Sequence, residues 1–255
     1  MNSAAEVLYE VRGAVAVITI NRPDQLNAIN NAVCEQLTAA LRRFDADDAL
    51  RVAILTAAGN RAFSAGRDLK EVADGAKRPP IPVIGETVEV NKPVIAAVNG
   101  PAAGGGFAVA LASDVRIAAT SAKFNAAFIR IGLSACDIGT SWVLPRLVGA
   151  ARAQELMLTG RVYNAQDGER VGLSQYVVPM GQALTKALEL ATRIASNAPM
   201  TNFALMHALP RIAEQPADHG FFTEALISSI AQSAPEAKAR VRAFLEGKAA
   251  KVQKN

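Results

Sequence analysis

Val94-Ile95-Ala96-Ala97-Val98-Asn99-Gly100-Pro101-Ala102-Ala103-Gly104-Gly105-Gly106 is the stretch on which the reading of this chain turns. The apolar run predicts a buried strand, the glycines a turn, and the uncharged residues 107–112 a helix. Glycine lets a backbone come close to a ligand, and the first N–H groups of a helix have no partner inside it. Together they make a place where main-chain N–H groups can hold a developing negative charge. Phe63-Ser64-Ala65-Gly66-Arg67-Asp68 is a second turn of this kind.

Around these turns lies a chain of 255 residues, 51% hydrophobic and 20% charged, which predicts a packed core rather than disorder. Aromatics are only 5%, so Ala, Val, Leu and Ile must do most of the filling. The net charge of +4 comes from scattered basic residues, with no basic stripe of the kind that nucleic acid binding needs. Cys34 and Cys136 form neither a disulfide framework nor a metal-binding spacing, and no metal is expected. Residues 93–113 are uncharged and long enough to span a bilayer, but Asn99, Gly100 and Pro101 fall at their middle. A lipid-exposed backbone could not be satisfied there, so the segment reads as buried core of a cytoplasmic protein. The N-terminal residues lack the basic and apolar segments of a signal peptide.

Further along, residues 7–11 and 15–20 predict a hairpin, and Asn30 or Asn31 can cap a helix reaching Phe44. Residues 52–56 and 115–118 read as strands, and 73–82 as a mobile loop or lid. From Gly139 onward the pattern is mainly helical, with segments near 149–159, 165–171, 180–197, 200–213 and 217–245. The one strand signal there is residues 175–178.

At these residues the chain resembles the crotonase superfamily, the enoyl-CoA hydratase/isomerase family. The match runs through Asn21-Arg22-Pro23 with Asn27-Ala28, then Phe63 to Lys70, then Lys92 to Gly100 and the triple glycine. It continues with Ala112-Ser113-Asp114, Leu144-Pro145-Arg146-Leu147-Val148-Gly149, Glu155 to Gly160, Gly172-Leu173 and Ala243 to Lys248, covering almost the whole chain in order. The resemblance implies an α/β fold: a crotonase-like spiral of repeated ββα units over residues 1–197, and a helical trimerisation region over 198–255. It implies a homotrimer or dimer of trimers that binds acyl-CoA thioesters, with coenzyme A arriving as part of the substrate and no other cofactor. The thioester enolate would be stabilised by two backbone N–H groups, here those of Arg67 and Gly105. Gln25, Leu26, Ala65, Asp68 and Leu69 would line the coenzyme A site, with Arg22, Lys70 and Lys248 as phosphate contacts. Each basic residue also reads as solvated surface.

The chain departs from the family where the reaction is chosen. The two hydratase glutamate positions are Ala108, three residues past the middle glycine, and Phe128, four past Phe124. Ordinary hydration therefore has neither expected catalyst. Asp137 falls in a segment resembling the one that carries an aspartate in dienoyl-CoA isomerases and chlorobenzoyl-CoA dehalogenases, with one residue more before it. It has two readings: a proton carrier desolvated by Phe128 and Trp142 as apolar pocket walls, or the cap of a helix beginning near Gly139. Dehalogenation lacks its partner histidine, since the two histidines are His207 and His219. Both read as helix packing or surface, Cys136 as a small buried residue and Asp114 as structural. Ser64, Asn125, Ser134 and Thr140 are candidate polar pocket groups, and Glu71, Glu86 or Glu89 could swing over the site from the lid. The leading expectation is an isomerase-type proton transfer through Asp137, with lyase or thioesterase chemistry open. The rival is a non-catalytic acyl-CoA-binding homologue.

Overall fold

The computed structural model describes residues 5–75, 79–84, 88–134, 136 and 138–247. Strands β1 (Val7–Arg12) and β2 (Val15–Ile20) form the expected hairpin, Val7 opposite Ile20, turning through Gly13 at a φ of +60°. Helix α1 (Asn31–Ala46) follows, with the Asn30 side chain accepting from the Val33 N–H at 2.8 Å. Val33, Leu37, Leu41 and Phe44 recur at helical spacing and are its buried face.

Strand β3 (Val52–Ala57) lies parallel to β2 and is buried throughout. After it the chain steps sideways at Ser64 and enters the short helix α2 (Leu69–Ala73). Strand β4 (Val94–Val98), also wholly buried, repeats the move: it pairs with β3, steps to β5 (Ala102–Ala103), and enters α3 (Gly105–Leu111). Strand β6 (Val115–Ala119) repeats it again, through β7 (Lys123–Asn125) and a 3-10 turn, Ala127–Ile131, to α4 (Thr140–Val148). Helix α5 (Ala150–Thr159), strand β8 (Val162–Asn164), helix α6 (Ala165–Arg170) and strand β9 (Tyr176–Val178) complete this part. The long strands make a six-stranded sheet ordered β1-β2-β3-β4-β6-β9, and the side-steps make a three-stranded one ordered β5-β7-β8. Ser64 bridges to Ala102 beside the smaller sheet, so each strand-strand-helix turn is stacked on the one before. This is the spiral of ββα units that the sequence implied.

All seven residues of α3 are buried, which the small side chains of Gly105, Gly106, Ala108 and Ala110 permit. At its far end the buried Arg116 guanidinium donates to the carbonyls of Leu111, Ser113 and Leu173. Burial pushes Arg116 down to about 10 and raises the carboxyl of Asp114, whose Oδ2 accepts from the Val94 N–H at 2.8 Å. Asp114 is thus structural, as expected.

The chain divides into two compact units, Met1–Arg193 and Ile194–Asn255, the division falling inside α7 (Ala183–Ala195). In the second unit α8 (Pro199–Ile212) packs on α9 (Ala217–Ser233), which also contacts α10 (Pro235–Leu245). One helix was expected over 217–245. It is broken because Ala234 precedes proline and sits extended, at φ −60° and ψ 137°. Leu205, Leu209, Phe221 and Phe222 are exposed on this unit. Among the described residues no helix is long and apolar enough to cross a membrane.

The turn of α3 into the Phe63–Asp68 region is too close for side chains. A Cβ on Gly106 would lie 2.5 Å from both the Cβ and the carbonyl oxygen of Ser64. Gly106→Ala is therefore expected to cost about 1–3 kcal/mol of stability, read as a lower urea midpoint. An unchanged midpoint would mean that the two turns do not touch this closely.

Candidate functional site

Ile29 fixes the first turn. Its N–H donates to the Gly66 carbonyl at 2.7 Å, and its own carbonyl accepts from the Asp68 N–H at 2.9 Å. Residue 67 lies between these two bonds, so the alternation of extended backbone turns its N–H the other way. The Arg67 side chain holds the turn from behind: it donates to Asn31 Oδ1 at 2.6 Å and to Cys34 Sγ at 3.2 Å, both in the first turn of α1. Burial pushes the Cys34 thiol up despite Arg67, so it stays neutral and apolar in character.

The second turn is fixed by Gly104, at φ +51° and ψ −122°, a conformation open only to glycine. Its N–H donates to the Asn125 carbonyl at 3.0 Å. Gly105 is then the first residue of α3. The two turns are brought into contact because Gly66 has no side chain: a Cβ there would sit 2.6 Å from the Ala103 carbonyl oxygen and 2.9 Å from the Gly105 nitrogen. A single carbon on Gly105 would in turn be 3.6 Å from the Arg67 nitrogen. Among the described residues neither the Arg67 N–H nor the Gly105 N–H donates to a protein acceptor. Two fixed, adjacent and unsatisfied donors are the elements of an oxyanion hole.

They open on a cavity of about 290 Å³. Of the residues expected at the site, Ala65, Arg67, Leu69, Gly105 and Phe128 line it. Gln25, Leu26 and Lys70 are exposed outside it, Leu26 in the left-handed conformation at φ +52°. Arg22 and Asp68 have internal work to do: Arg22 donates to the Ala28 carbonyl at 2.7 Å and to Asp68 Oδ2 at 3.0 Å, and Asp68 caps α2. Asp137, Lys248 and Glu86 lie outside the described residues, although Ile138, next to Asp137, lines the cavity.

Several expectations need correction. Trp142 is no wall of the cavity. The buried stripe of α4 is Thr140, Leu144 and Val148, which puts Trp142 on the outer face, half exposed beneath the Arg146 guanidinium at 3.8 Å. Ala108 is buried in α3 and its methyl does not reach the lining. Ser64 is likewise buried, donating to the Asn27 carbonyl at 2.8 Å and accepting from the Gly66 N–H at 3.2 Å. Cys136, expected buried, is exposed in the loop after the 3-10 turn, where its N–H donates to Ser134 Oγ. Glu71 is no swinging acid: its Oε2 accepts from the Asn31 N–H at 2.9 Å at the start of α1. Glu89 is exposed between the buried Val88 and Val90. Asn125 Oδ1 and Thr140 Oγ1 are buried without partners among the described residues, and neither residue lines the cavity. In the second unit His207 stacks on Phe203 at 4.3 Å, and His219 is exposed beside Asp218.

Sequence reasoning missed much of the apolar lining: Val72, Pro79, Ile81, Ala127, Ile131, Leu133 and Ile138. The signal for Ile81 was faint, one large apolar residue among prolines in a stretch read as loop.

The enoyl-CoA hydratase/isomerase family profile matches residues 10–255. A probable enoyl-CoA hydratase of Mycobacterium tuberculosis strain H37Rv is 41% identical over 198 residues, 72% of this chain and 69% of that protein. The (E)-benzylidenesuccinyl-CoA hydratase of Thauera aromatica is 34% identical over 95% of this chain and 97% of its own length. A crystal structure of a probable enoyl-CoA hydratase/isomerase from Mycobacterium abscessus superposes with a TM-score of 0.87 at 37% identity, covering 96% of this chain and 97% of that one.

The Arg22–Asp68 pair joins the two segments expected around coenzyme A. Burial works to raise the Asp68 carboxyl, but the Arg22 hydrogen bond and the Lys70 amide outweigh it and hold the group below its ordinary value of 3.8. A carboxylate depressed in the folded state stabilises above the unfolded value and loses that contribution as pH falls through the folded one. Asp68→Asn should therefore cost about 1 kcal/mol at pH 7. Denaturant unfolding at a series of pH values should show the gap to wild type closing below about 3.8. A gap independent of pH would contradict the pairing.

Proposed function

Because the chain belongs to the enoyl-CoA hydratase/isomerase family, we propose that it binds an acyl-CoA thioester with the carbonyl oxygen between the Arg67 and Gly105 N–H groups and converts it through the enolate. The observation that carries this reading is that these two donors stand side by side with no protein acceptor among the described residues. Proton loss from the carbon next to the carbonyl sends the C–H electrons into a new C=C bond and the carbonyl π electrons onto oxygen. Fixed N–H groups meet that charge without reorganising, and each is worth about 3 kcal/mol of barrier.

The proton carrier would be Asp137. Ala108 and Phe128 stand at the two hydratase glutamate positions, so water has no carboxylate pair to activate it. One carboxylate that takes a proton from one carbon and returns it to another moves a double bond with no net gain of atoms, which favours isomerisation over hydration. A carboxylate held against apolar walls has its pKa raised, which would suit Asp137 to that transfer. Gln25, Leu26, Ala65 and Leu69 are exposed and would contact the adenine and pantetheine of coenzyme A, with the exposed Lys70 available to its phosphates; Lys248 is a further candidate phosphate contact on family resemblance alone. No cofactor beyond the coenzyme A of the substrate is needed. The exposed apolar side chains of α8 and α9 suit a region that joins copies of this chain.

A second reading, an acyl-CoA binder without turnover, is favoured by the lack of a carboxylate among the described lining residues. Proton exchange separates the two. In D2O with saturated, 2-enoyl and 3-enoyl CoA thioesters, wild type should incorporate deuterium at the α or γ carbon, read by mass spectrometry. Asp137→Asn should slow this by about 100-fold or more while still binding the thioester. No label from any thioester that binds would overturn the enzyme reading and leave the binder.

A further inference from the structure

The Cα of Gly105, beside the amide donor, is covered by a side chain from another part of the chain. A carbon built on Gly105 would lie 2.6 Å from Cδ1 of Ile81 and 3.6 Å from the Arg67 nitrogen, so the end of the Ile81 side chain rests directly on the glycine and near the donor pair. The neighbouring glycine is covered from a different element: a carbon on Gly104 would be 3.7 Å from Cε1 of the Phe128 ring. Ile81 is half-buried and packed against the core, and Phe128 is 9% exposed, so both are held in place. Past them the cavity wall is apolar, and at its rim Leu69, Ile131 and Leu133 are each about half exposed.

We propose that Ile81 and Phe128 are the specificity-determining residues of the site. They form two jaws across Gly104 and Gly105 that admit thioesters unbranched at the carbon next to the carbonyl and carrying an apolar tail. The proposal rests on the reading of the Arg67 and Gly105 amides as the thioester site. An oxygen bonded to both amides places the carbonyl carbon, and one bond further the α carbon, in the gap between the jaws. A methyl branch on the α carbon competes with Cδ1 of Ile81 for the same volume, whereas a CH2 or a flat CH= passes. The open apolar rim accepts a tail of variable length, so selection acts at the α carbon and not at the chain end. Among the described lining residues Arg67 is the one hydrogen-bonding side chain, and it is already engaged, so a polar group on the tail meets apolar walls there. One methyl in a close-packed apolar site is enough to discriminate by a factor of ten or more.

Ile81→Val removes the Cδ1 methyl and nothing else. Calorimetric binding of octanoyl-CoA and 2-methyloctanoyl-CoA should show wild type preferring the unbranched thioester by about 10-fold or more. In Ile81→Val that preference should fall below about 3-fold, and Ile81→Ala should abolish it. Thioester binding in which the ratio is unchanged by either substitution would overturn the proposal while leaving the site reading intact. Failure of wild type to bind either thioester would overturn the site reading and the proposal with it.

Discussion

The structure depends on the contact between two turns that have no room for side chains. Gly66 stands against the Ala103 carbonyl and the Gly105 nitrogen, and Gly106 against Ser64, at distances where a Cβ would be 2.5–2.9 Å from its nearest neighbours. Larger residues would force the turns apart and separate the Arg67 and Gly105 amides. The contact therefore does two things at once: it seals the spiral between successive turns, and it leaves two main-chain donors without acceptors among the described residues. Each such donor is unfavourable by about 1–3 kcal/mol when kept from water. An oxygen bearing negative charge placed between them would relieve that deficit.

The rest of the fold keeps this contact rigid. Strands β3 and β4 are buried on both faces and in register, Ala53 opposite Val94, so the turns that follow them start from fixed levels. Helix α3 is held at its start by the Asn125 carbonyl on Gly104 and near its end by Arg116, whose guanidinium gathers three carbonyls that would otherwise be buried unpaired. On the other turn, Arg67 and Glu71 both reach the first turn of α1, and Ile29 bonds the turn from the side. No part of this arrangement needs a charged group facing the cavity.

The parts of this design that were legible in the sequence are those with strong local signals. The apolar runs of β2, β3, β4 and β6 announced buried strands, and the glycine turns after β3 and β4 announced close approach. Strands β5, β7 and β8, of two or three residues, are too short to carry a period and exist only because the neighbouring turn of the spiral pairs with them. The break between α9 and α10 was visible in Pro235, but helical periodicity on both sides hid it. Trp142 was misplaced for a related reason: whether it faces in or out depends on the stripe Thr140, Leu144, Val148, which becomes legible only once the start of α4 is known. For Ile81 the sequence offered only the faint signal of an apolar residue among prolines. Its role comes from meeting Gly105 across the fold, and nothing in a proline-rich loop encodes that partner.

The donor pair is the centre of the account, and it can be observed without turnover. The carbonyl stretch of an acyl-CoA labelled with 13C at the thioester carbon can be isolated by isotope-edited infrared difference spectroscopy, free and bound. Two N–H donors polarising the C=O bond should move the bound band to lower frequency. A bound thioester whose carbonyl band stays at its free position would contradict the assignment of the Arg67 and Gly105 amides as the oxygen site.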